Sequence, residues 1–272
     1  MPKINLKDQL GQPILFNKPP EKIISLVPSM TYLLFVLGLD NEVAGITRFC
    51  KLPEHWKKQK TIVGGTKDVK IDRIANLKPD IVLANKEENS KEVVSELQNI
   101  APVYVSDIQT LDDNYRLITD LGKIFNIEAT AQKLNYDIQA AQSGYHQYKK
   151  SLKKTAYFIW KAPWMTVGGD TFINHMLQLA GFDNIFADKF RYPEVDLQQL
   201  QALDPEVILL SSEPYPFKDK DQKHMQALFP KACVLLVEGE PFTWFGAYPL
   251  QAFAYFHSLQ KQIDLCIQEK KN

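Results

Sequence analysis

Short runs of β-branched and aliphatic residues alternate along this chain with longer amphipathic stretches, and the whole pattern occurs twice. Ile23 to Val27, Val43 to Thr47, Asp80 to Ala84 and Val103 to Ser106 have the length and residue types of strands, with helical periodicity between them. A second set begins at Thr155 to Trp160. It continues through Asn184 to Phe186, Val207 to Ser211 and Cys233 to Val237, and closes with a helix from Pro249 onward. Strands separated by helix-length connections point to a parallel sheet covered by helices. The sets also echo each other in detail, Tyr32 to Asn41 resembling His175 to Asn184 and Ile74 to Val82 resembling Leu200 to Ile208, in the same order. The expected fold class is therefore α/β, with two similarly built, Rossmann-like lobes.

Between the sets, Leu134, Ile138, Ala141, Tyr145, Tyr148 and Leu152 recur at spacings of three and four. One helix from Glu128 to Leu152 is predicted, about 37 Å long at about 1.5 Å per residue. The expected organisation is an N-terminal lobe over 1–111, connecting helices including this backbone helix over 112–154, and a C-terminal lobe over 155–272. A ligand cleft is expected between the lobes. Ser29 should cap a helix from Met30 to Leu37 that Gly38 ends, Ser90 should cap Lys91 to Gln98, and Asp170 or Thr171 should cap the helix after the second glycine pair.

Thirty-two basic residues balance 32 acidic ones, so no net field recruits nucleic acid. No apolar run approaches the roughly 20 residues of a transmembrane helix. Cys50, Cys233 and Cys266 are odd in number and lack zinc-ligand spacing, so no disulfide framework is expected; Cys233 reads as a buried small hydrophobe. The N-terminus lacks the apolar stretch of a secretory leader, which leaves a cytoplasmic start at Met1 or a leader already removed.

In parallel lobes the loops after the strands carry the chemistry. Here they contain Ser29, Arg48, Phe49, Thr66, Lys67, Lys86, Glu87 and Glu88 in the first lobe, and Trp160, Lys161, Trp164, Tyr192, Trp244 and Phe245 in the second. Aromatic rings on loops suit a flat or greasy ligand, although Trp160 ends an apolar strand and is equally readable as core. The pairs Gly64-Gly65 and Gly168-Gly169 allow sharp turns or close backbone approach. Nucleotide motifs, a nucleophile elbow and HExxH are absent, the five histidines are scattered, and no catalytic or metal-ligating residue is assigned. Glu87 and Glu88 leave acid-base chemistry open as a minor alternative, and equally read as a solvated charged loop.

Ile23-Ile24-Ser25-Leu26-Val27-Pro28-Ser29-Met30-Thr31, Val63-Gly64-Gly65-Thr66, Leu77-Lys78-Pro79-Asp80-Ile81-Val82-Leu83-Ala84 and Gly168-Gly169-Asp170-Thr171-Phe172-Ile173 resemble the cobalamin and iron-siderophore solute-binding proteins of ABC importers. The likeness runs from about Lys22 to the last helix. It implies a periplasmic monomer with no intrinsic cofactor that carries a corrinoid or ferric chelate to a membrane permease without chemistry. The alternative is a cytoplasmic binder of metal chelates or tetrapyrroles with the same fold. The resemblance places ligand contacts at Phe49, Trp164 and Tyr192, and permease docking at Asp72 and at Gln198, where the family has an acid. Thr66 and Asn85 stand where the cobalamin binder has tryptophan, the Lys86 to Asn89 loop is more polar, and Ala247-Tyr248-Pro249 replaces a ligand-contacting arginine.

Overall fold

The computed structural model describes residues 4–146 and 152–271. The chain forms two compact units. The first holds the described residues up to Gln139 together with Trp244–Tyr248, and the second holds the remainder.

The first unit opens with an antiparallel hairpin, β1 (Ile4–Lys7) and β2 (Pro13–Phe16). There follow β3 (Ile23–Ser25), α1 (Pro28–Val36), β4 (Val43–Ile46), α2 (Trp56–Gln59), β5 (Thr61–Ile62), α3 (Ile71–Leu77), β6 (Ile81–Asn85), α4 (Lys91–Gln98), β7 (Val103–Ser106), α5 (Leu111–Phe125) and α6 (Glu128–His146), within which the unit boundary falls. Its sheet has the order β5-β4-β3-β6-β7 with every pairing parallel. The second unit contains β8 (Lys153–Phe158), α7 (Phe172–Leu179), β9 (Phe182–Asn184), α8 (Leu197–Leu203), β10 (Val207–Ser211), α9 (Asp219–Leu228), β11 (Cys233–Val237), α10 (Glu240–Thr243) and α11 (Pro249–Lys271). Its parallel sheet runs β11-β10-β8-β9. Sheets covered on both faces need apolar residues on both, and β6 and β10 are accordingly buried at every position.

Several local expectations hold. Ser90 Oγ accepts the Val93 N–H at 3.3 Å, Thr171 Oγ1 accepts the Asn174 N–H at 3.1 Å, and Gly38 follows α1 at φ 77°. Others need correction. Ser29 is no cap: Pro28 takes the first helical position, where its missing N–H costs nothing, so the helix starts two residues earlier and Ser29 is buried in its first turn. Strand β9 precedes the expected Asn184 to Phe186, because the Asn184 side-chain oxygen accepts the Phe186 N–H at 3.1 Å and turns the chain. Helix α6 is described as far as His146; Tyr148 lies outside the described residues, and Leu152 is non-helical.

The cysteine expectation also fails, because Cys233 on β11 is disulfide-bonded to Cys266 on α11. Only the path of the last helix brings these residues, 33 apart in sequence, to a Cα separation of 5.8 Å. Cys50 is a buried free thiol, 3.1 Å from Thr31 Oγ1 and 3.3 Å from Thr47 Oγ1, and burial pushes its pKa up, which removes it as a nucleophile.

A polar cluster supports the hairpin. Asp8, fully buried, accepts the backbone N–H groups of Leu10 (2.9 Å), Gln12 (2.8 Å) and Val105 (3.2 Å), tying the hairpin turn to β7. Tyr104, next to Val105 on β7, donates to Asp120 on α5 at 2.9 Å, with Arg116 at 3.7 Å. Burial raises the Asp120 pKa, against the lowering effects of Tyr104 and Arg116. A carboxyl raised in the fold binds protons better there than in the unfolded chain, so its contribution is most favourable below its unfolded pKa and is lost as pH rises through its folded pKa. Wild type should therefore gain stability relative to Asp120→Asn as pH falls from 7 towards 4. Urea midpoints of the two proteins that keep a constant difference across that range would contradict this assignment.

Candidate functional site

In each parallel sheet the chain starts near the middle, at β3 and at β8, and winds off in both directions. Such a reversal opens a crevice at the carboxyl ends of the strands, between β3 and β6 in the first unit and between β8 and β10 in the second.

In the first unit, Arg48 and Phe49 follow β4. The Arg48 guanidinium makes two bonds to Asp68, at 2.9 and 3.0 Å, and sits 4.9 Å from the Phe49 ring centroid. Arg48 in turn holds the Asp68 carboxyl below its ordinary pKa. The glycine expectation is met by close approach: a Cβ on Gly65 would collide with the Asp68 carboxylate and stand 2.9 Å from the Phe49 ring. The loop after β6 is organised by two buried asparagines. Asn85 Oδ1 accepts the N–H groups of Glu87 (2.9 Å) and Glu88 (3.3 Å), and Asn89 donates to the Thr66 carbonyl at 2.7 Å, joining both loops. Lys86 is bonded to Asp107 at 2.5 Å, whereas Lys67 is exposed.

Trp244 and Phe245 stand apart from their expected partners. Both belong to the first unit and are buried, each 6% exposed, with Trp244 packed on Tyr32 and Tyr248 at centroid distances of 6.4 and 5.3 Å. Asn114 on α5 holds this segment by bonding both backbone groups of Gly246, at 3.0 and 2.5 Å.

In the second unit, Trp164 is half-buried. Its ring stacks on Phe217 (5.7 Å, 9°), meets Phe158 edge-on, and lies 5.4 Å from the Lys161 ammonium, itself bonded to buried Asp221 at 2.5 Å. Trp160 is 40% exposed and rests edge-on against Tyr215, which in turn meets Phe217 at 4.8 Å. These five aromatics form one connected patch across the β8 and β10 loops. Tyr215 and Phe217 were not anticipated, although Glu213-Pro214-Tyr215-Pro216-Phe217 directly after an apolar strand was a readable signal. Tyr192 is half-buried in a loop pinned by Thr166 N–H to Pro193 O (3.1 Å) and Gly168 N–H to Arg191 O (2.7 Å).

Asp72, in the first turn of α3, and Gln198, in the first turn of α8, are both exposed. The Gln198 N–H is capped by Asp196 at 2.9 Å. No cluster of three or more His, Cys, Asp or Glu able to hold a metal occurs among the described residues. None of the described helices is long and apolar enough to cross a membrane.

The ABC transporter substrate-binding lipoprotein YvrC of Bacillus subtilis is 28% identical over 216 residues, covering 76% of this chain and 68% of that protein. The vitamin B12-binding protein of Vibrio parahaemolyticus is 26% identical over 199 residues, 72% of each. Among solved structures, the periplasmic vitamin B12-binding protein BtuF of Vibrio cholerae superposes with a TM-score of 0.76 at 21% identity, over 90% of this chain and 98% of that one. The periplasmic heme-binding protein RhuT of Roseiflexus gives 0.76 at 16% identity, over 92% and 99%. These two likenesses concern the fold. The sequence model for periplasmic binding proteins matches residues 23–229, from the first strand of the first parallel sheet to the end of α9, and the chain belongs to that family.

Proposed function

We propose that this protein is the solute-binding component of an ABC importer and that its cargo is a metal chelate of the corrinoid, haem or ferric-siderophore type. The family match, which covers the whole first parallel sheet and three of the four strands of the second, carries this reading. Relatives named for vitamin B12 and heme support the cargo class, and the strand-end loops present aromatic and cationic side chains but no metal-binding cluster among the described residues. The Cys233–Cys266 bond suits an oxidising compartment outside the cytoplasm. Contacts are assigned to Arg48, Phe49, Thr66, Lys67, Glu87, Trp160, Trp164 and Tyr192, with lesser parts for Ser29, Lys86, Trp244 and Phe245, whose burial or ion pair occupies them. Permease docking is assigned to the exposed starts of α3 and α8, at Asp72 and around Gln198, where Asp196 supplies the nearest carboxylate in sequence.

Thermal shift and tryptophan fluorescence against cobalamin, cobinamide, haem and a set of ferric siderophores test the cargo class. A ligand at 100 times its dissociation constant adds about 2.7 kcal/mol to stability. Trp160→Ala and Trp164→Ala should each weaken binding by about 1 to 3 kcal/mol. Well-folded protein that responds to no chelate in the set would refute the reading.

A further inference from the structure

The loops assigned to cargo follow the carboxyl ends of the strands, and the opposite end of the first parallel sheet has a pocket of its own. Glu21 comes shortly before β3 and Glu42 immediately before β4. The Ile23 N–H donates to the Glu42 carbonyl at 2.8 Å, so these two strand starts lie side by side. With Lys18, Pro19 and Pro20 ahead of β3, Leu39 after α1 and Phe125 at the end of α5, they line a pocket of about 280 Å³ that belongs wholly to the first unit. Its apolar side is well buried, Leu39 being 5% and Phe125 6% exposed and Pro20 buried. Asp80, just before β6, accepts the Glu21 and Lys22 N–H groups at 2.9 Å each and pins the loop that forms one wall.

Helices that cover a parallel sheet run against its strands, so their C-terminal ends gather where the strands begin. Helix α1 ends at Val36, shortly before Leu39, and α5 ends at Phe125 itself; the unpaired carbonyls of a helix C-terminus favour cations. Of the charged side chains around the pocket, Lys18 is paired with Glu21 at 2.6 Å, whereas the Glu42 carboxylate enters no ion pair or side-chain hydrogen bond among the described residues. The volume falls just below the roughly 300 to 1,000 Å³ of sites for drug-sized ligands, which suits a smaller body. We propose that this pocket is a second ligand site that takes a small organic amine, with its ammonium at Glu42 and its apolar body against Leu39, Phe125 and Pro20. An ammonium supplies three donors, and the buried apolar wall rewards a carbon skeleton that a bare metal ion lacks. The site is separate from the cargo loops and does not depend on which cargo they bind.

Three probes of similar shape test it: benzylammonium, the neutral benzyl alcohol and the anionic benzoate, titrated into the isotope-labelled whole chain and followed by amide NMR shifts. Benzylammonium should give saturable shifts at Glu21, Leu39, Glu42 and Phe125 while the amides of Phe49 and Trp164 stay in place. It should bind about fivefold tighter than benzyl alcohol, the scale of a partly exposed ion pair, and benzoate should give no saturable shift there. Glu42→Gln should bring the amine and the alcohol within about twofold of each other, and Lys18→Gln, which frees the Glu21 carboxylate, should tighten amine binding by about twofold. The opposite signs of these two changes separate a charge effect from a loss of folding. An amine that gives no saturable shift at the pocket, or binds no tighter than the alcohol, overturns the proposal. So does a ratio unmoved by Glu42→Gln, or a response confined to the cargo loops.

Discussion

Replacing Cys266 with serine is expected to destabilise the second unit by about 3 to 4 kcal/mol, the loop-closure value for a bridge between residues 33 apart. On a domain of this size that corresponds to a fall in melting temperature of roughly 10 °C. The helix should stay in place at moderate temperature, because Lys153 at the start of β8 also grips α11, donating to Gln260 at 2.8 Å and pairing with Asp264 at 3.2 Å. Thiol counting gives an independent check. Native protein should react with an alkylating agent at none of its cysteines, denatured unreduced protein at Cys50 alone, and denatured reduced protein at all three. Three reactive thiols without reductant, or an unchanged melting temperature in Cys266→Ser, would show that the bridge does not hold the helix.

Asn114→Ala should cost about 2 to 5 kcal/mol. Its amide is fully buried and satisfies both the N–H and the carbonyl of Gly246, so truncation leaves a buried donor and a buried acceptor without their partner, each worth about 1 to 3 kcal/mol. The loss falls on the segment that packs Trp244 against Tyr32 and Tyr248, so the Trp244 contribution to emission should shift to the red as the ring meets water. Urea unfolding within about 0.5 kcal/mol of wild type, the range of ordinary surface substitutions, would mean that the pairing contributes little.

Period and residue type were enough to place most of the parallel strands, because buried parallel strands are continuous apolar runs and their connections are helical, whereas the two-residue β5 was missed and β9 was placed two residues late. The sites were harder to read, since exposure depends on what a side chain meets from distant segments. Trp244 sits on a loop in the sequence yet is buried with Tyr32, more than 200 residues earlier. Conversely, Trp160 ends an apolar strand yet is exposed. Lys86 and Lys161 look like free cations, but each has a carboxylate partner 21 and 60 residues away, respectively. The hairpin escaped notice for the same reason, being anchored by Asp8 to a strand 97 residues later rather than by any apolar pattern of its own.

The membership of Trp244–Tyr248 in the first unit bears on the order in which the chain can fold as it is made. The first sheet has all its strands once residue 106 has emerged, but Asn114 finds Gly246 only 132 residues further on, after every part of the second unit but its last helix has been synthesised. Until then the face around Tyr32 lacks its cover, and a nascent or prematurely ended chain exposes it to solvent and to other chains. Final consolidation of the N-terminal half thus waits for the C-terminal quarter, a long-range closure of the kind that slows folding and postpones full resistance to proteolysis until synthesis is nearly complete.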